Sequence, residues 1–155
     1  MAQSLELIEE AEPYCDISTR EGQIQLTYLE NSRGIIALQH QKHEEARKWF
    51  SKAEAVRKKY SGDRDANTVA AQGNLALTLI NERKWQLLIA FDEPRAEMDA
   101  AGQLDHIPVR LRISIYNLLS LAYLETNMLD EAWAAIEKSS QLAVDIIPVY
   151  SQLSG

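Results

Sequence analysis

Three small residues recur at a near-constant interval: Gly34, Ala76 and Ser120 lie 42 and 44 residues apart. No other feature limits the fold as strongly. A helical hairpin of that length cannot bury its apolar face alone, so such units must stack into an array. A small residue at the same place in each unit lets two helices approach closely, while large neighbours fill the gaps between units. The N-terminus keeps the same register, since Ile8 and Ala11 precede Phe50 and Ala53 by 42 residues each.

Helical signals fill the spaces between these markers. Residues 3–12, QSLELIEEAE, place Leu5, Ile8 and Ala11 on one face and end before Pro13. Ser18 and Thr19 are N-cap candidates for a helix running to about His40, with Glu21 in its first turn. A helix over about 43–60 carries Ala46, Phe50 and Ala53 on one face and is stopped by Gly62. Others are predicted from about Asn67 to Asn81, and from Lys84 into Pro94, which should kink or split the segment. AGQLDHIP reads as a loop, with Pro108 at the first turn of a helix to about Thr126. A last helix begins at Asp130 and ends before Pro148, and the tail PVYSQLSG is expected to be loose. No strand pattern and no Gly-rich phosphate loop occurs. The class is all-α with about seven helices, and the short connections imply antiparallel neighbours.

Residues 116–136, YNLLSLAYLETNMLDEAWAAI, contain Tyr116-x-x-Leu119-Ser120-x-x-Tyr123 and then Ala132-x-x-x-Ile136. This resembles the tetratricopeptide (TPR) pattern, W-x-x-L-G-x-x-Y followed by A-x-x-x-F. Gly34, Ala37, Ala46, Phe50 and Ala53 match it in part. The middle unit keeps Leu75, Ala76 and Leu79, but Leu88 and Asp92 stand where the pattern has Ala and an aromatic. The period near 42, and the segment GDRDANTVAAQGNLAL, look like the long kinesin-light-chain type of TPR. The resemblance implies one TPR-like domain over 1–155, a right-handed α-solenoid of antiparallel hairpins. Its parts are a half-repeat at 3–12, repeat 1 at 20–60, an irregular repeat 2 at 66–101, repeat 3 at 108–145 and a tail at 146–155. A chain that starts in mid-repeat is expected to be a piece of a longer array, within a larger scaffold or sensor.

Candidate chemistry is sparse. Asp63, Asp65 and Asn67 alternate like the first ligands of an EF-hand, but that loop needs Gly where Thr68 stands and a bidentate Glu where Asn74 stands. Asp65 or Asn67 is better read as a helix N-cap. His40, His43 and Glu44 have neither zincin spacing and fall at a solvated turn, and His106 stands alone in a loop. Cys15 is the single cysteine, which rules out an internal disulfide and a Cys-rich zinc site. It has no His in its local sequence and reads as a structural thiol. The runs HEEARK and KAEAVRKK read as wet helix faces. Trp49, Trp85 and Trp133, one in each unit, are expected to pack between layers. No catalytic residue, metal ligand or cofactor is expected, so the chain does not read as an enzyme.

A net charge of −7 opposes general binding to nucleic acid. No run approaches 18 uncharged apolar residues, and the N-terminus lacks the bases and apolar run of a signal peptide, so a cytoplasmic chain without a membrane partner is expected. In TPR arrays the first helix of each hairpin lines the concave face. By that resemblance the binding surface comprises Tyr28, Asn31, Ile35 and Leu38, then Asn74, Leu77 and Asn81, then Asn117, Leu121 and Glu125. Asn31, Asn74 and Asn117 are 43 residues apart, and each amide offers a donor and an acceptor to a peptide backbone. Asparagine can equally bridge adjacent helices. The expected job is protein–protein interaction, holding a peptide or helix in a groove, with self-association through exposed repeat ends. The alternatives are a structural or oligomerisation module and a small-molecule-binding regulatory domain.

Overall fold

The computed structural model describes residues 2–145. The tail, expected to be loose, lies outside the described residues. Among the described residues there are seven α-helices and no strand, as the periodicity predicts. They are α1 (Ala2–Ala11), α2 (Arg20–Gln39), α3 (His43–Ser61), α4 (Ala66–Asn81), α5 (Trp85–Ala100), α6 (Val109–Glu125) and α7 (Leu129–Val144), with a 3-10 turn at Glu12–Tyr14. The chain divides into two compact units, Met1–Thr78 and Leu79–Gly155.

In the first unit α1 packs on α2, and α2 on α3. Of the two cap candidates, Thr19 begins α2, accepting a hydrogen bond from the Gly22 amide at 3.0 Å. The preceding loop folds back so far that a Cβ on Gly22 would lie 1.9 Å from the Asp16 carbonyl oxygen. The α2–α3 contact is built around Gly34, where a Cβ would meet the Phe50 ring at 2.5 Å. The small residue of the repeat is thus the floor on which the aromatic of the next helix lies. Ile8 of α1 is buried, as its register with Phe50 requires. Asp65 caps α4, accepting from the amides of Asn67 at 3.0 Å and Thr68 at 3.4 Å. The neighbouring Asp63 pairs with Lys58 at 3.1 Å.

Three helix-to-helix turns share one geometry. Gln41, Arg83 and Asn127 adopt left-handed φ values of 59°, 55° and 60°. Each lies seven residues after a small repeat residue. Each is followed by an amide that bonds back across the helix end: Lys42 to Ala37 at 2.9 Å, Lys84 to Leu79 at 2.9 Å and Met128 to Tyr123 at 2.8 Å. Their own amides reach Leu38, Ile80 and Leu124. This is the Schellman arrangement, which satisfies the orphaned carbonyls of a helix end. The carbonyls of Lys42, Lys84 and Met128 then accept the first bonds of α3, α5 and α7.

In the second unit α5 packs on α6, and α6 on α7. Helix α5 is not split at Pro94 but runs through it. Pro94 and Ala90, whose carbonyl loses its partner, are both exposed, so water can take the vacant bond. The buried side of α5 turns from apolar, at Leu88 and Ile89, to polar: Asp92 pairs with Arg95, and Asp99 accepts from Arg112 and from the Tyr116 hydroxyl at 2.8 Å. Tyr123 donates to Glu93 at 2.7 Å. The two tyrosines of the best-matching repeat therefore tie α6 to α5 through their hydroxyls, and burial together with these acids pushes both phenols well above the usual range. The loop before α6 contributes Leu104 and Ile107 to the core, which its polar composition conceals. Trp133 is 64% exposed and packs under no further layer among the described residues.

Two predictions follow from these contacts. Gly34→Ala should lose about 1–3 kcal/mol by driving a methyl into Phe50, whereas Gln41→Gly should gain roughly 0.5–1 kcal/mol by relieving the left-handed conformation; urea denaturation of both variants checks the opposite signs. Burial pushes the Asp92 carboxyl up to about 6, overcoming the attraction of Arg95. The native state then binds the proton more tightly than the unfolded chain, so this group should lower stability as pH rises from about 4 to 6, by on the order of 2–3 kcal/mol. Stability measured across that range should fall more steeply for the wild type than for Asp92→Asn.

Candidate functional site

Helix α2 presents Tyr28, Asn31, Ile35 and Leu38 at spacings that keep them on one side of the helix. Tyr28 and Ile35 are exposed, while Asn31 and Leu38 are half-buried. On α4, Asn74 is half-buried, and Leu77 and Asn81 are exposed. On α6, Asn117, Leu121 and Glu125 are all exposed.

The asparagines are not equivalent. Asn74 donates its side-chain amide to Asn31 Oδ1 at 2.8 Å, bridging α4 to α2. Asn117 Oδ1 accepts from the Ser139 hydroxyl of α7 at 2.5 Å. Each amide spends one group on a neighbouring helix, so the bridging role is present in both units. The Asn31–Asn74 pair still leaves the Asn31 amide nitrogen and Asn74 Oδ1 uncommitted, a donor beside an acceptor, which is the complement of a peptide group.

This pair lines a small pocket of about 140 Å³ in the first unit, shared with Tyr28, Arg57, Asn67, Ala70 and Ala71. Ala70 and Ala71 leave the space that larger side chains would fill. Arg57 comes from α3, and its guanidinium lies over the Tyr28 ring, 4.5 Å from the centroid. The run KAEAVRKK is therefore not wet throughout: Arg57 is 7% exposed. It follows Ala46, Phe50 and Ala53 on the buried face of the helix. That spacing was a legible signal, masked by the lysines on either side. Asn67 is also part of the pocket wall, although its sequence context suggests only a cap.

A second polar cluster surrounds the α1–α2 contact. Arg33 pairs with Glu12 and lies 4.9 Å from the Trp49 ring centroid. The pair holds the Glu12 carboxyl below its usual range, chiefly through the hydrogen bond from Arg33. Glu30 is buried close by with one carboxylate oxygen unpartnered, and desolvation pushes it above the usual range. His43, at the turn read as solvated, is half-buried with Nδ1 shielded from solvent.

No helix among the described residues is long and apolar enough to cross a membrane. No family model, curated protein or solved structure matches the chain.

Proposed function

We propose that the chain is a TPR-like helical-repeat module that binds a peptide or helix on the first helices of its hairpins and changes no covalent bond. One observation carries this. Large apolar side chains stay in solvent on those helices: Tyr28 and Ile35 on α2, Leu77 on α4, and Leu121 and Leu124 on α6. They alternate with the asparagines Asn31, Asn74 and Asn117, so each stretch offers apolar anchors beside polar groups able to take backbone. The three identical turns support a repeated hairpin, and the register of Gly34, Ala76 and Ser120 supports the long type of repeat. A scaffold or sensor role within a larger cytoplasmic protein is the setting this chemistry suits.

A second proposal is self-association. Helix α7 exposes Leu129, Trp133, Ile136 and Val144, an apolar set that a second copy would cover. Its signature is a mass in light scattering that grows with concentration and returns to that of a monomer in Trp133→Ser.

Selection from a random peptide display library tests the first proposal. Peptides that bind the wild-type chain should bind the Ile35→Ser, Leu77→Ser, Leu121→Ser variant at least tenfold more weakly, a loss of about 1.4 kcal/mol. All three residues are exposed, so the variant should keep the wild-type circular dichroism. Equal binding by both chains would remove these helices as the site.

A further inference from the structure

We propose that the outer face of α7 docks on the outer face of α3 in a second copy of the chain, acid against lysine. This names the surface that meets α7 in the self-association proposed above, and it rests on that reading. The two helices carry opposite charge. Between residues 42 and 64, Lys and Arg outnumber Asp and Glu eight to four, although the whole chain carries −7. Between residues 129 and 145 the acids outnumber the bases four to one. Lys48, Lys52 and Lys59 of α3 are exposed and make no ion pair among the described residues. Lys52 lies over the Trp49 ring at 4.9 Å and Lys59 over the Tyr60 ring at 4.8 Å, which places both ammonium groups beside aromatic surface without a counter-charge. On α7, Asp130 and Glu137 are likewise exposed and make no ion pair among the described residues.

The two faces also match in spacing. Asp130, Trp133 and Glu137 fall at positions i, i+3 and i+7 of α7, and Lys52, Ala55 and Lys59 at i, i+3 and i+7 of α3. This is the seam spacing by which two helices pack side by side. The two acids and the two lysines are therefore each separated by about 10.5 Å along their helix. Between the acids stands the Trp133 indole, 64% exposed. Between the lysines stands the exposed Ala55, with the exposed Ser51 one turn before it, so small side chains leave room for that ring. On α7 a hollow of about 680 Å³ places Trp133, Ile136 and Val144 beside Glu137 and Asp145. An apolar wall edged by acids suits a lysine, whose stem is buried while its ammonium group stays at the rim. A second α7 is the poorer partner, because it would set one group of four acids against another. The contact therefore joins unlike faces, α7 of one copy to α3 of the next.

The test is sedimentation of the full chain over a concentration series at one low ionic strength. The wild type should show a mass above that of a monomer, rising with concentration. The pair Lys52→Glu, Lys59→Glu and, separately, the pair Asp130→Lys, Glu137→Lys should each weaken association by roughly tenfold or more. An equimolar mixture of these two variants should form a one-to-one pair, because the intact α7 of the first meets the intact α3 of the second. All four substitutions in one chain should restore self-association. All four positions are exposed, and circular dichroism checks that the helices persist. Where a reversal unfolds the chain, the neutral pairs Lys52→Gln, Lys59→Gln and Asp130→Asn, Glu137→Gln take its place, and each must weaken association. Lysine variants that associate like the wild type, or a mixture that stays monomeric, would each overturn the proposal. If Trp133→Ser is then still monomeric, the self-association reading survives with another surface opposite α7. A wild type that is monomeric at every concentration would remove both.

Discussion

Each hairpin depends on one residue held in a left-handed conformation. Gln41, Arg83 and Asn127 reverse the chain within a few residues, and the backbone bonds around them satisfy the end of one helix while starting the next. None of the three is glycine, so each turn carries a conformational cost of about 1–2 kcal/mol. That cost is tolerated because the alternative is worse: unsatisfied carbonyls at a helix end that packs against its neighbour. In α2–α3 and α6–α7, once the turn is set, the position of the second helix follows, and so does the identity of what must lie beneath it. Gly34 under Phe50 is the clearest case.

The same frame holds different chemistry in its two units. On α3 the buried positions are Ala46, Phe50, Ala53 and Arg57, and on α5 the register-matched ones are Leu88, Asp92, Arg95 and Asp99. The first set packs by shape. The second packs through an ion pair and through hydrogen bonds to Tyr116 and Arg112. Paired buried charges add little net stability, but breaking one pair costs about 3–5 kcal/mol. Helix α5 is tied to α6 through Asp99 and Glu93, while its Asp92–Arg95 pair lies within the helix; on α3 the one buried charge, Arg57, stacks on the Tyr28 ring.

The proposed function rests on what the helices leave unfinished. Apolar side chains remain in water on α2, α4 and α6, and a donor and an acceptor remain beside the Asn31–Asn74 bridge. The asparagine spacing near 43 is compatible with both roles that the residue can take, and the Asn31–Asn74 bond shows the bridging one. Under the proposed function, a side chain already fixed by a neighbouring helix would lose little entropy on meeting a ligand.

Much of this was legible in the sequence because helical burial repeats every three to four residues and the period of the small residues is independent of context. The seven helices, the pairs of cap candidates from which the structure takes Thr19 and Asp65, and the close approach at Gly34 follow from local rules. Three things required the tertiary structure. Pro94 sits inside an unsplit helix at a place where it and Ala90, whose carbonyl loses its partner, are both exposed residues, and exposure is not a local property. The buried acids of α5 make sense only once Tyr116 and Arg112 arrive from α6. The pocket at Arg57 is assembled from three helices, so its residues are scattered from 28 to 74 with no motif among them. Periodicity determined which side of each helix is buried; only the packing of one helix on another decided which partners the buried polar groups of that side would meet.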